Sequence, residues 1–127
     1  MSRGLVLFAH GARDPRWAEP FEAIAARVRS QHPTWPVQLA YLELMSPTLP
    51  EAGAALAASG CDRVDIVPLF LGAGGHVRKD LPMLVDALRV AHPHVRWQLQ
   101  RPIGEQAGVI HAIADAAISS LSDEPPP

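Results

Sequence analysis

The chain has 127 residues, 48% hydrophobic and 19% charged, which supplies one core of ordinary size and excludes both general disorder and a second folded domain within this length. A formal net charge of −2 with no block of like charge removes any electrostatic case for nucleic acid or an anionic membrane, and no apolar run is long enough to span a bilayer. Cys61 is the single cysteine, so neither an internal disulfide nor a cysteine-built zinc site is available, as expected of a protein in a reducing cytoplasm.

Arg3 precedes a short apolar run that is too brief for a signal-peptide core and reads as a first strand over residues 4–9. Trp17, Phe21, Ile24, Ala25 and Val28 recur at helical spacing and predict a helix over 16–31, stopped by His32-Pro33. A second strand is expected over 37–42. The second helix opens at Thr48, with Glu51 three residues on as a capping box and Pro50 in the first turn, and ends at Gly60. A third strand over 64–71 leads through a glycine-rich turn into a helix over 78–91 that buries Leu81, Leu84, Val85 and Leu88. The last strand covers 95–100. The last helix covers 105–121, with Val109, Ile110, Ile113, Ala117 and Leu121 as its apolar residues. Residues 122–127, Ser-Asp-Glu-Pro-Pro-Pro, read as a flexible tail behind a domain of residues 1–121.

Strands alternating with helices predict an α/β protein: a three-layer, flavodoxin-like arrangement around a four-stranded parallel sheet, with nearly continuous apolar strands because both faces are covered. Ligands of such sheets bind beyond the carboxyl ends of the strands. His10 follows the first strand, Glu43 the second, and His76 lies in the turn after the third, so three candidate metal ligands share one rim. Two imidazoles and a carboxylate suit iron(II), cobalt(II), nickel(II) or zinc, and three protein ligands leave open positions. A histidine titrating near neutrality also serves as a proton acceptor.

Gly11 follows His10, and Gly72, Gly74 and Gly75 precede His76; these glycines are expected to allow positive φ and to keep the rim free of bulk where a flat ligand would lie. Arg13, Arg16, Arg78 and Lys79 flank the same loops and are expected to position acidic groups of that ligand. The turn before His76 matches neither a dinucleotide fingerprint nor a P-loop. His32, His92, His94, His111 and Cys61 are read as structural. Taken singly, each rim residue is explained as a surface group; the reading rests on their sharing an edge.

Three segments carry a resemblance: Leu-Phe-Ala-His-Gly-Ala-Arg-Asp-Pro at 7–15, Leu-Glu-Leu-Met-Ser-Pro-Thr-Leu-Pro-Glu at 42–51, and Pro-Leu-Phe-Leu-Gly-Ala-Gly-Gly-His-Val-Arg-Lys-Asp-Leu-Pro at 68–82. In these the sequence resembles the small class II tetrapyrrole chelatases, the sirohydrochlorin cobaltochelatases and ferrochelatases of the CbiX and SirB type. The resemblance implies a single chelatase half, His10 and His76 as metal-binding and catalytic histidines, and Glu43 as the carboxylate that assists them. It further implies a sirohydrochlorin-type tetrapyrrole and a divalent metal (cobalt, iron or nickel) as substrates, no tightly bound cofactor, a homodimer, and a place in cobalamin or siroheme synthesis. Ala12 departs from the serine common at that place. Two rivals remain: a non-catalytic carrier or sensor of divalent metal on the same site, and a phosphoryl-transfer enzyme, against which Ala9 stands where a histidine phosphatase has arginine.

Overall fold

The computed structural model describes residues 2–122. Four strands, β1 (Arg3–Ala9), β2 (Val37–Tyr41), β3 (Arg63–Pro68) and β4 (Arg96–Leu99), alternate with four helices, α1 (Glu19–Gln31), α2 (Leu49–Ala58), α3 (Gly75–Ala91) and α4 (Ala107–Ser122). The strands form one parallel sheet in the order β2-β1-β3-β4, as the alternating pattern predicts. From β1 the chain crosses to one side to make β2 and then to the other to make β3, so strand order reverses between β1 and β3, and the crevice beyond their carboxyl ends is the place for a ligand.

The pleat sorts the side chains. Val6 and Phe8 of β1 and Val64 and Ile66 of β3 join Leu49, Leu56, Leu81, Val85 and Trp97 in the core beneath α2 and α3. The alternate residues Leu7, Ala9, Leu39 and Tyr41 pack with Ala18 and Ala25 against α1. Apolar side chains are needed on both faces, hence the continuous runs. Among the described residues Asp65 is the one buried charge; Arg63 lies 3.3 Å and Arg3 3.7 Å away, and the Gln100 amide donates to it at 3.0 Å, so its burial is compensated.

The capping box at α2 forms as expected: the Thr48 backbone N–H donates to Glu51 at 2.9 Å, and the Glu51 N–H donates to the Thr48 hydroxyl at 3.3 Å. His32 stacks on Trp35 with ring centroids 3.8 Å apart, and His92 caps the end of α3 beside Trp97, both structural roles. Cys61 is buried, and that burial pushes its thiol pKa up. No helix among the described residues is long and apolar enough to cross a membrane.

Four expectations change. The first helix is divided: a 3₁₀ turn (Pro15–Ala18), capped by the Asp14 side chain accepting from the Arg16 N–H at 2.9 Å, carries Trp17 ahead of α1. β3 ends at Pro68, opposite Phe8; beyond it the Leu69 N–H still donates to the Phe8 carbonyl, but the Phe70 carbonyl turns to the Gly104 N–H instead of continuing the ladder. α3 starts at Gly75 rather than at residue 78; glycine is a poor helix former in the interior but costs little at the first turn, so a propensity argument starts the helix too late. Finally, α4 does not bury its apolar side chains: Val109 is half-buried, while Ile110, Ile113, Ala117 and Leu121 are exposed. The expected tail, apart from the backbone of Ser122 that closes α4, lies outside the described residues.

Candidate functional site

At the carboxyl ends of β1 and β2 the sheet ladder continues for two residues past the strands. The Leu42 N–H donates to the Ala9 carbonyl at 2.9 Å and the Glu43 N–H to the His10 carbonyl at 3.1 Å. This pairing sets His10 and Glu43 side by side, and His10 Nε2 stands 3.2 Å from Glu43 Oε1. Gly11 follows with φ +96°, and a Cβ there would run into the Glu43 carbonyl oxygen, so the close approach of the two loops requires glycine at this position. Leu44, immediately after Glu43, has φ +66°, an unusual conformation for leucine, and its side chain is exposed.

The third strand contributes through residues 69–74. The Leu69 N–H donates to the Phe8 carbonyl at 2.7 Å, and Phe70 packs its ring against His10 at 6.0 Å between centroids in an edge-on arrangement. Gly104, in the 3₁₀ turn Ile103–Glu105, donates its N–H to the Phe70 carbonyl at 2.9 Å and lies so near the Leu71 backbone that no side chain fits. Arg78 completes the brace: Nε donates to the Ala73 carbonyl at 3.0 Å and NH2 pairs with Glu105 at 2.8 Å.

His10 and Glu43 are therefore brought together as expected. His76 stands on the same rim, exposed in the first turn of α3 rather than in the preceding loop, and does not join that pair: among the described residues no group of three His, Cys, Asp or Glu side chains is arranged to hold a metal ion. Gly72, Gly74 and Gly75 do not adopt the positive φ expected of them. Nothing lies near a Cβ built on any of the three, so they leave open, unobstructed surface at the rim. Of the expected anchoring cations, Arg16 is paired with Asp14 at 2.9 Å and Arg78 with Glu105, while Arg13 and Lys79 are exposed and form no ion pair among the described residues.

Sequence reasoning missed Phe70, Gly104, Glu105 and Arg101. Arg101 lines a cleft of about 260 Å³ with Arg78, Leu99 and Pro102. A second hollow of about 380 Å³ lies between Leu42, the residue before Glu43, and the α3 residues Asp80, Met83 and Leu84. Glu105 stands 27 residues from Arg78, and no local pattern announces a partnership at that distance.

Two donor atoms about 2.0–2.2 Å from one ion stand roughly 3 Å apart, which is the separation of His10 Nε2 and Glu43 Oε1. Their half-exposed position leaves the remaining coordination sites open to water or to a ligand. The CbiX family profile matches residues 4–120. A sirohydrochlorin cobaltochelatase of Methanopyrus kandleri is 36% identical over 81 residues, 64% of this chain and 57% of that protein, so the matched stretch spans little more than half of the relative's length. Among solved structures, a cobalamin (vitamin B12) biosynthesis CbiX protein from Marinobacter aquaeolei VT8 is 34% identical with a TM-score of 0.86, covering 96% of this chain and 99% of that one. The sirohydrochlorin chelatase SirB from Bacillus subtilis subspecies spizizenii, in complex with cobalt, is 26% identical with a TM-score of 0.75, covering 94% of this chain and 51% of that one. With a profile match over nearly its whole length and these relatives around it, the chain belongs to the CbiX family.

Proposed function

We propose that this chain is a sirohydrochlorin chelatase, inserting cobalt(II) or iron(II) into the tetrapyrrole in cobalamin or siroheme biosynthesis. The observation that carries the reading is the His10–Glu43 pair, 3.2 Å apart on an open rim, in a chain whose family relatives bear the names sirohydrochlorin cobaltochelatase and SirB chelatase. The divalent ion is a substrate, held in passing by His10 and Glu43, and no cofactor is retained; His76, on the same rim but apart from that pair, is not among its contacts in this arrangement.

Metallation replaces two pyrrole N–H bonds with bonds from nitrogen to the metal and releases two protons. In this reading the macrocycle lies over the rim with an apolar edge against Leu42, Met83 and Leu84. Gly74 and Gly75 allow it close approach, while Arg13, Arg78 and Lys79 meet its carboxylates. As its nitrogens displace the protein ligands, a histidine freed from the metal takes one pyrrole proton and solvent water at the open rim takes the other, while the neighbouring carboxylate steadies the resulting imidazolium. Protein ligands that hold the ion loosely favour this exchange, and the open, solvent-facing pair fits that need. The working form is a cytoplasmic homodimer.

The test is an absorbance assay of sirohydrochlorin with cobalt(II), iron(II) or nickel(II), with and without protein. Metallation accelerated at least 100-fold by catalytic protein is expected with one of the metals. Metal binding without any acceleration would leave a carrier or sensor in its place.

A further inference from the structure

Leu44 is, among the described residues, the one residue other than glycine with a positive φ, +66°. In that left-handed region the β-carbon of an L residue crowds the following carbonyl oxygen, so glycine takes it freely, asparagine with little penalty, and a bulky aliphatic residue rarely. The strain is not offset by burial, because the Leu44 side chain is 59% exposed. Its neighbours hold the backbone there. The Glu43 N–H is bonded to the His10 carbonyl, Leu42 packs against the core beneath α2 and α3, and Met45 packs against the core beneath α1. Pinned on both sides, the chain turns outward at residue 44. Such a turn by itself favours glycine; the leucine adds an apolar group held in water directly after Glu43, about 3.8 Å away from Cα to Cα. The other neighbour of the His10 ring, Phe70, is likewise followed by an exposed leucine, Leu71. Since β1 lies between β2 and β3, the segments carrying the two leucines leave the sheet on opposite sides of His10.

We infer that Leu44 is a substrate-binding residue that carries the flat face of the tetrapyrrole and so sets the plane of the macrocycle over the ion held by His10 and Glu43. The inference rests on the chelatase reading and adds a contact for the part of the ligand that neither the donor pair nor the cations hold. The cations meet carboxylates at the periphery of the ring, and the donor pair meets the ion at its centre. Between them lies the conjugated surface, flat and apolar, which gains by leaving water against an apolar group. An aliphatic side chain already standing in water gives up only rotamer freedom in that contact. A backbone fixed by Glu43 on one side and Met45 on the other keeps it in place before the ligand arrives, which lowers the cost of binding. Asparagine and aspartate, the polar residues that left-handed backbone tolerates, would instead lose hydration against the ring. A leucine is therefore of use here in spite of its backbone strain. The contact with the ring face is the same before and during metal insertion, so it contributes to binding and not to the chemical step.

Leu44→Gly and Leu44→Asn test it on the whole chain, the first removing the side chain and the second keeping its approximate size with a polar end. Both relieve the backbone, so the thermal midpoint is expected to rise by about 2–4 °C. Cobalt(II) alone is expected to bind both as it binds the wild type. Sirohydrochlorin, followed by the quenching of its fluorescence, is expected to bind the metal-free variants about 10-fold more weakly. In cobalt(II) insertion the KM for sirohydrochlorin should rise by a similar factor while kcat changes by less than about 2-fold. Stability gained while affinity is lost marks a binding residue, since a leucine that only supported the fold would lose both together. Sirohydrochlorin affinity equal to wild type in both variants, or a fall in affinity accompanied by a fall in midpoint and in cobalt(II) binding, would overturn the inference and leave the chelatase reading standing. A wild type that neither binds nor metallates sirohydrochlorin would overturn that reading and this inference with it.

Discussion

One added methyl group at Gly11 would press on the Glu43 carbonyl oxygen and strain a backbone at φ +96°. Gly11→Ala should therefore cost about 1–3 kcal/mol of stability and loosen the loop that carries His10, seen as a lowered denaturation midpoint together with weakened cobalt(II) binding. Glu43→Gln keeps the shape but removes the negative charge beside His10. A fall of about 10- to 100-fold in metal affinity is expected by titration with cobalt(II), and unchanged affinity would remove Glu43 from the site. His10 and Glu43 could be picked out in the sequence because each directly follows an expected strand, and position after a strand fixes the rim on which a residue emerges. Phe70, Gly104 and Glu105 could not, since their importance comes from contacts made across the fold. The positive φ predicted for the glycines before His76 did not materialise because those residues lead straight into a helix and need no left-handed turn.

At the level of elements, the start of α2 sets the exit of the loop that carries Glu43. The Thr48 backbone N–H and then its hydroxyl hold the Glu51 carboxyl below its ordinary range. A carboxyl depressed in the folded state contributes stability above its unfolded pKa and loses that contribution as pH falls through the folded value. The thermal midpoint of wild type should thus exceed that of Glu51→Gln near neutrality, and the gap should close on acidification; a gap independent of pH would show that the charge is irrelevant. Thr48→Ala should cost about 1 kcal/mol in urea unfolding. This cap was legible from two residues at fixed spacing. The ends of β3 and α3 were not, because the first depends on where β1 stops pairing and the second on a helix start that needs no capping side chain.

For the whole molecule, the strand order and the two cores explain why the rim forms where it does: the sheet reverses direction of growth between β1 and β3, and His10 and the loop to His76 border that crevice. The fold class was legible because buried parallel strands write continuous apolar runs into the sequence. The periodicity of α4 was equally plain, but periodicity does not say what a face packs against; the same isoleucines that predict a core helix stay exposed on this chain. Leu69 and Leu71 belong both to the apolar groove beside α4 and to the loop before His76, so that groove and the rim share a wall. The proposed function rests most heavily on His10, to which it assigns the roles of both metal contact and proton acceptor. The most direct check is the initial rate of cobalt(II) insertion into sirohydrochlorin by His10→Ala beside wild type at equal protein concentration. A fall of at least about 100-fold is expected, and equal rates would contradict the role given to the pair.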